Sequence, residues 1–168
     1  INDAILQPTS WPVNRLVPLN TSLNMNVQAV GKQPIGYVWK KNGTAIPGGG
    51  GTSYTISSVN AATVGKYSAS ATNSVATVER PAAVIAAVDT TTTSTVLLKA
   101  NGTTTLKAIT ALPAAVPAGY FGYEWMRNGV PINDTDTSVS SASIKPYAGT
   151  TTATLTIKSF AAEFEGVY

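Results

Sequence analysis

The chain of 168 residues contains no cysteine and no histidine. Within it, that excludes a disulfide scaffold, thiolate metal sites, a cysteine nucleophile and any catalytic triad built on a histidine base. Charge is scarce, at 11% of residues, so the chain is no disordered polyelectrolyte. The longest apolar run, 81–88, falls far short of the roughly 20 residues a membrane-spanning helix needs, and no membrane insertion is expected. No sustained helical period is present; 60–64 allows one short helical turn. No signal-peptide pattern is visible and the first residue is Ile1 rather than Met, which reads as a processed chain or a fragment.

What the chain has is 43% hydrophobic residues, enough for real cores, set in a background of Thr, Ala, Ser and Gly. Threonine-rich alternation suits strands with one face in solvent. Leu23, Met25, Val27 and Ala29 alternate with Asn24, Asn26 and Gln28; Tyr67, Ala69 and Ala71 alternate with Ser68, Ser70 and Thr72. Both patterns predict half-buried strands. Asn42-Gly43 and Asn101-Gly102 are hairpin signals, because both residue types tolerate positive φ. Gly48 to Gly51 form a flexible break. Further strands are expected at 120–127, 138–144 and 152–160. The threonine-rich stretch 90–95 reads as an extended strand or connector, and 112–119, with Pro113 and Pro117, as a loop.

A block recurs. Tyr37-Val38-Trp39-Lys40-Lys41-Asn42-Gly43 returns as Tyr123-Glu124-Trp125-Met126-Arg127-Asn128-Gly129. Each copy is followed by a second shared block, Tyr54 to Val59 then Gly65-Lys66-Tyr67, and Leu155 to Phe160 then Gly166-Val167-Tyr168. Repeats fix architecture ahead of other signals, and these divide the chain into a unit at 1–80, a linker or first strand of the next unit at 81–89, and a second unit at 90–168. Pro81 is expected to stop ladder pairing. The second copy carries extra residues in 133–151, the natural place for an added hairpin or long loop. Short strands broken by turns every 8 to 12 residues or so, in two tandem sets, predict all-β sandwiches.

These blocks resemble immunoglobulin-like domains of the intermediate type. The resemblance implies two tandem cysteine-free immunoglobulin-like β-sandwiches. It places Trp39 and Trp125 in the cores on strand C, and Tyr67 and Tyr168 at the start of strand F as tyrosine corners. The family's disulfide cysteines would fall near Val27 and at Ala69, and near Ala108 in the second unit, where this chain has small apolar residues. A disulfide contributes about 2–4 kcal/mol, which packing must replace. The second unit ends at Tyr168, so it is expected to be truncated before strands F and G and to belong to a longer protein, or to take those strands from a neighbouring chain. Cysteine-free, Thr/Ala/Ser-rich versions are similar to bacterial and phage modules, in particular the highly immunogenic outer capsid (decoration) proteins of T4-like phages. The function so implied is that of a non-catalytic structural virion protein. It would decorate the capsid or tail surface, with the major capsid or tail protein as partner and host-surface glycans as weak ligands. A bacterial cell-surface adhesin or spacer, and an accessory module of a secreted polysaccharide-degrading enzyme, are the alternatives.

Other residues are weighed against plainer roles. Trp39, Tyr67, Trp125 and Tyr168 could form an aromatic ligand platform, but their repeat spacing favours core packing. Trp11, outside the repeat, covers an edge or meets a partner. Asp134 and Asp136, with Glu163 and Glu165, are the only acidic groupings; calcium requires several converging oxygens, and a polar loop is the better reading. Two carboxylates can serve a glycosidase, but no cleft-forming apolar segment accompanies these. No Gly-x-Ser-x-Gly elbow occurs, and Gly48 to Gly51 lack the Lys-Ser/Thr of a phosphate loop. No catalysis and no cofactor are therefore expected. Net charge is +3. It is uneven: 1–88 hold six basic side chains (Arg15, Lys32, Lys40, Lys41, Lys66, Arg80) and two acidic ones. Nucleic-acid binders cluster many more, so this reads as a solvated face and no nucleic acid is expected. Four sequons, at Asn20, Asn42, Asn101 and Asn133, read as turns.

Overall fold

The computed structural model describes residues 6–97, 100–114, 120–139, 141–158 and 161–168. It is almost entirely strand and turn. In chain order the strands are β1 (Gln7–Ser10), β2 (Arg15–Pro18), β3 (Leu23–Asn26), β4 (Gln28–Val30), β5 (Gly36–Lys41), β6 (Thr44–Ala45), β7 (Ser53–Ile56) and β8 (Gly65–Thr72). There follow β9 (Thr77–Glu79), β10 (Ala83–Val88), β11 (Thr104–Lys107), β12 (Thr110–Ala111), β13 (Met126–Arg127), β14 (Val130–Pro131), β15 (Tyr147–Ala148) and β16 (Thr154–Ile157). The chain forms two compact units, Ile1–Thr90 with Thr110–Val116, and Thr91–Ile109 with Pro117–Tyr168.

Unit 1 is a cysteine-free β-sandwich. One sheet runs β12-β10-β8-β5-β6, with β2 and β9 attached, and β3-β7 and β1-β4 form two-stranded sheets. Alternation places Trp39 of β5 opposite Ala69 of β8, and Tyr37 opposite Ala71; small residues on one strand admit the large rings of the other. Trp39, Val27, Val59, Ile85 and Ala87 are fully buried, joined by Met25, Ile56 and Tyr67. Burying each large apolar side chain stabilises by about 1.5–3 kcal/mol. Val27 and Ala69, where the resemblance places disulfide cysteines, lie in this same core.

Two sequence expectations are corrected here. The strand read as continuous from Leu23 to Ala29 divides at Val27: β3 pairs with β7 and β4 with β1. The segment 81–89, read as a linker or the opening of the second unit, belongs largely to unit 1. β10 pairs antiparallel with β8 and parallel with β2. Pro81 interrupts the ladder without ending it. Ser70 faces Glu79 before it and Tyr67 faces Ala83 after it, a shifted register. The missing proline N–H forces the break, and the buried run Ala83 to Ala87 draws the chain back onto the sheet.

Unit 2 has a three-stranded sheet, β11-β16-β15, and the hairpin β13-β14. Its core is Ile132, Tyr147, Leu155, Ile157 and Phe164, with Leu106, Trp125, Ala161 and Tyr168 packed partly against it. Within 120–127 only Met126–Arg127 is strand; no strand is assigned among the described residues of 138–144, where the Ser138 N–H donates to Ile144 O (2.9 Å). The inserted residues 133–151 contain β15, which extends the sheet. No strand is assigned in 90–95, and Thr110–Ala111 pairs as β12 with β10 in unit 1. Ser159 and Phe160, from the predicted strand 152–160, and most of the loop 112–119 lie outside the described residues.

Candidate functional site

The repeated blocks build the same framework twice. In unit 1 the Trp39 N–H donates to Gly49 O (2.8 Å), its indole Nε1–H to Gly51 O (3.0 Å), and Ile46 N–H returns to Trp39 O (2.8 Å). In unit 2 the Trp125 N–H donates to Thr150 O (3.0 Å), its Nε1–H to Thr152 O (2.8 Å), and Ile132 N–H to Trp125 O (3.0 Å). The following Asn-Gly pairs make the tight turns their chemistry favours, with φ of 51° and 83° at Asn42 and Gly43, and 51° and 79° at Asn128 and Gly129. Each asparagine also grips the residue before the corner tyrosine. Asn42 Oδ1 accepts from Lys66 N–H (2.9 Å), and Asn128 Oδ1 accepts from Val167 N–H (2.9 Å).

Both tyrosines close a corner. Tyr67 Oη donates to Thr63 O and Tyr168 Oη to Phe164 O, each at 2.6 Å. The turn before Tyr67 is a single helical turn held by Asn60, whose Oδ1 accepts from Ala62 N–H (2.9 Å); its counterpart is the 3-10 turn Ala162–Phe164. One repeated contact escaped the sequence reading. Lys41 Nζ donates to Ala62 O and Arg127 Nη1 to Glu163 O, both at 2.6 Å. The signal was there: a basic residue two places after each repeated tryptophan. Tyr54, which lies between Trp39 and Tyr67 with ring centroids 6.0 and 6.1 Å away, was also missed as the link of an aromatic stack.

Burial, and secondarily Tyr54, push the Tyr67 hydroxyl up to about 12. A raised acid group contributes stability that is fully present below its unfolded value, about 10 for tyrosine, and is lost as pH rises through the folded one. Tyr67→Phe is expected to cost unit 1 about 1–3 kcal/mol at neutral pH, because Thr63 O loses its donor. It should also flatten the loss of stability between pH 10 and about 12. Urea unfolding followed by circular dichroism at neutral and alkaline pH measures both; an unchanged alkaline slope would contradict the assignment.

The acidic residues serve turns. Asp134 accepts from Thr150 N–H (2.9 Å), Thr150 Oγ1 (2.7 Å) and Gly149 N–H (3.2 Å). These bonds, led by the Thr150 amide, hold its carboxyl below the ordinary value. Asp136 accepts from Asn133 N–H (2.7 Å), and Ser138 donates to Glu163. Among the described residues no group of three or more His, Cys, Asp or Glu is placed to hold a metal. A depressed carboxylate gives stability present above its unfolded value and lost as pH falls through the folded one. Asp134→Ala should therefore lower the thermal midpoint of unit 2 at neutral pH, with the gap to wild type closing below about pH 4; a gap independent of pH would count against it.

In unit 1, Glu79 accepts from Lys40 Nζ (2.5 Å) and Ser68 Oγ (2.7 Å). This cross-strand network, led by Lys40, lowers the Glu79 carboxyl and occupies one of the basic side chains. Trp11 packs half-buried against the unit 1 core, and its indole Nε1 is buried without an acceptor among the described residues. Open cavities lie among the described residues of unit 2. One, about 630 Å³, is lined by Arg127, Asp136, Tyr147 and Glu163 among others. Another, about 820 Å³, runs beside Trp125, Leu106, Ile157 and Tyr168. The Arg127 guanidinium at the first is already engaged, by Tyr147 Oη (3.2 Å) and Glu163 O. No helix among the described residues is long and apolar enough to cross a membrane.

No protein-family model matches the chain, and no curated protein sequence matches it. Similar solved structures include an I-band fragment of titin (16% identity, TM-score 0.47), over 96% of this chain and 58% of that one. Another is Sidekick-1 immunoglobulin domains 1–4 (16% identity, TM-score 0.49), over 99% of this chain and 42% of that one. A third is a twitchin kinase fragment from C. elegans (21% identity, TM-score 0.40), over 48% and 21% respectively. The chain thus spans about half the length of the first two. The immunoglobulin-like fold rests on the chain's own geometry, its repeated tryptophans and its two tyrosine corners.

Proposed function

We propose that this chain is a non-catalytic, tandem immunoglobulin-like module on the surface of a bacteriophage particle. It would be anchored to the major capsid or tail protein and would present sandwich faces and loops outward to host-surface glycans. The observation that carries the reading is the doubled, cysteine-free framework. Its polar groups are spent on turns and corners, as at Asn42, Asp134 and Arg127, rather than converging on a reacting centre. Such a module acts by shape and by its exposed, hydroxyl-rich surface, a role suited to repetition over a shell. The resemblance of the strand C blocks to phage decoration proteins supports the same reading, although fold alone does not dictate function.

Mass spectrometry of purified particles from the source phage tests it. Peptides of this chain in amounts comparable to the major capsid or tail protein are expected. Their absence from particles, or their presence in a bacterial cell-wall fraction, would overturn the virion assignment in favour of an adhesin or spacer. A glycan array without binding would remove the attachment role and leave decoration standing.

A further inference from the structure

The sequence contains three Asn-Gly pairs, at Asn42, Asn101 and Asn128. All three asparagines are exposed and all take positive φ, 51°, 62° and 51°. Neither exposure nor backbone conformation separates them, but their bonding does. Asn42 is tied to Lys66 twice, through its own N–H donating to Lys66 O (2.7 Å) and its Oδ1 accepting from Lys66 N–H (2.9 Å). Asn128 is tied to Val167 in the same way, at 2.8 and 2.9 Å. Each also sits in the turn of a closed hairpin, β5–β6 or β13–β14. Asn101 has no such tie. Its side chain makes no hydrogen bond among the described residues, and the strand that follows it, β11, pairs with β16. Of the expected hairpin at Asn101-Gly102 the turn is present, with its positive φ, and residues 98 and 99 before it lie outside the described residues.

We propose that Asn101 is a site of spontaneous covalent modification: deamidation through a cyclic imide, selective over the other two pairs. The Gly102 main-chain nitrogen attacks Cγ of Asn101. The bond from Cγ to Nδ2 breaks, and ammonia leaves carrying the Gly102 amide proton. Water then opens the ring to aspartate or isoaspartate; no electron transfer is involved. Glycine at the attacking position has no side chain to obstruct the approach. Every Asn must leave its left-handed turn to reach the geometry of attack. Beyond the turn's own bond, Asn42 and Asn128 must break two hydrogen bonds to do so, which at ordinary bond strengths suppresses the open form about tenfold or more, whereas Asn101 breaks none to a described residue. The product adds a negative charge and, as isoaspartate, an extra backbone carbon just before β11, altering the entry to the unit 2 sheet.

The test is incubation of the intact folded chain in mildly alkaline buffer, followed by tryptic peptide mapping. Asn101 lies in the peptide Ala100 to Lys107, apart from those holding Asn42 and Asn128. The expected result is a gain of one mass unit, with isoaspartate detected by enzymatic methylation, at least about tenfold faster at Asn101 than at the other two. In urea the three rates should converge. Equal rates in the folded chain, a faster rate at Asn42 or Asn128, or rates that stay apart in urea would overturn the proposal. Asn101→Gln should abolish the rapid isoaspartate signal, and its persistence would do the same.

Discussion

Replacing Trp39 with alanine is expected to destabilise unit 1 by about 3–5 kcal/mol. The side chain is completely buried, packs at a tilt against the Tyr54 ring, and donates its indole N–H to Gly51 O. Its removal opens a cavity that the surrounding strands are poorly placed to fill. Gly49, Val27 and Ala69 are already small, and Gly49 lies close against Ile46 and the Trp39 Cβ. The Gly51 carbonyl also loses its donor. Unit 1 has no disulfide to restrict its unfolded chain, and a domain's whole stability is about 5–15 kcal/mol, so much of its folded population should be lost. Urea unfolding by far-ultraviolet circular dichroism measures this. Trp125→Ala provides the contrast: Trp125 is only partly buried, so its loss should cost clearly less. A Trp39→Ala cost below about 1.5 kcal/mol would mean that the ring is not the keystone described.

The second large effect is expected at Gly149. Its φ is +82°, and a Cβ there would lie 2.4 Å from Thr154 O and 3.0 Å from Thr152 Oγ1. The left-handed conformation alone costs a side chain about 1–2 kcal/mol. The clash with a backbone oxygen adds more, because relieving it moves β16 or breaks the bonds from Gly149 and Thr150 to Asp134. Gly149→Ala should therefore destabilise unit 2 by about 3 kcal/mol or more. Gly43→Ala makes a clean control. Its φ is +83° with nothing within 4 Å of the added carbon, so only the conformational cost remains. If thermal unfolding shows the two substitutions equally costly, the steric part of this account is wrong.

Features of the fold that depend on local chemistry were legible in the sequence. Asn42-Gly43 makes the turn its positive-φ tolerance foretells, and Tyr67, Ala69 and Ala71 are buried as expected, although Ser68 and Ser70 between them, expected on a solvent face, are buried as well. Features that depend on distant partners were not. Nothing local to 81–88 tells that β10 returns to the sheet it has just left; that follows from which neighbours, β8 and β2, offer unpaired edges. The alternation through Val27 runs smoothly in sequence while the strand changes partners there. Asp134 looked like half of a loop or a metal site because its partners, Gly149 and Thr150, lie a long stretch away in the chain. The paired grip of Lys41 and Arg127 was hidden differently: a basic residue at a repeated position reads as solvated charge until the carbonyl it reaches is in view.

The parallel ladder between β2 and β10 bears on how unit 1 meets mechanical load. β2 lies near the start of unit 1 and β10 near the end of its main segment, and four residue pairs, Arg15 with Ile85 through Pro18 with Val88, run side by side in the same direction. Tension pulling the two ends apart slides these strands along each other. The ladder is loaded in shear, and its bonds must yield together instead of peeling in turn.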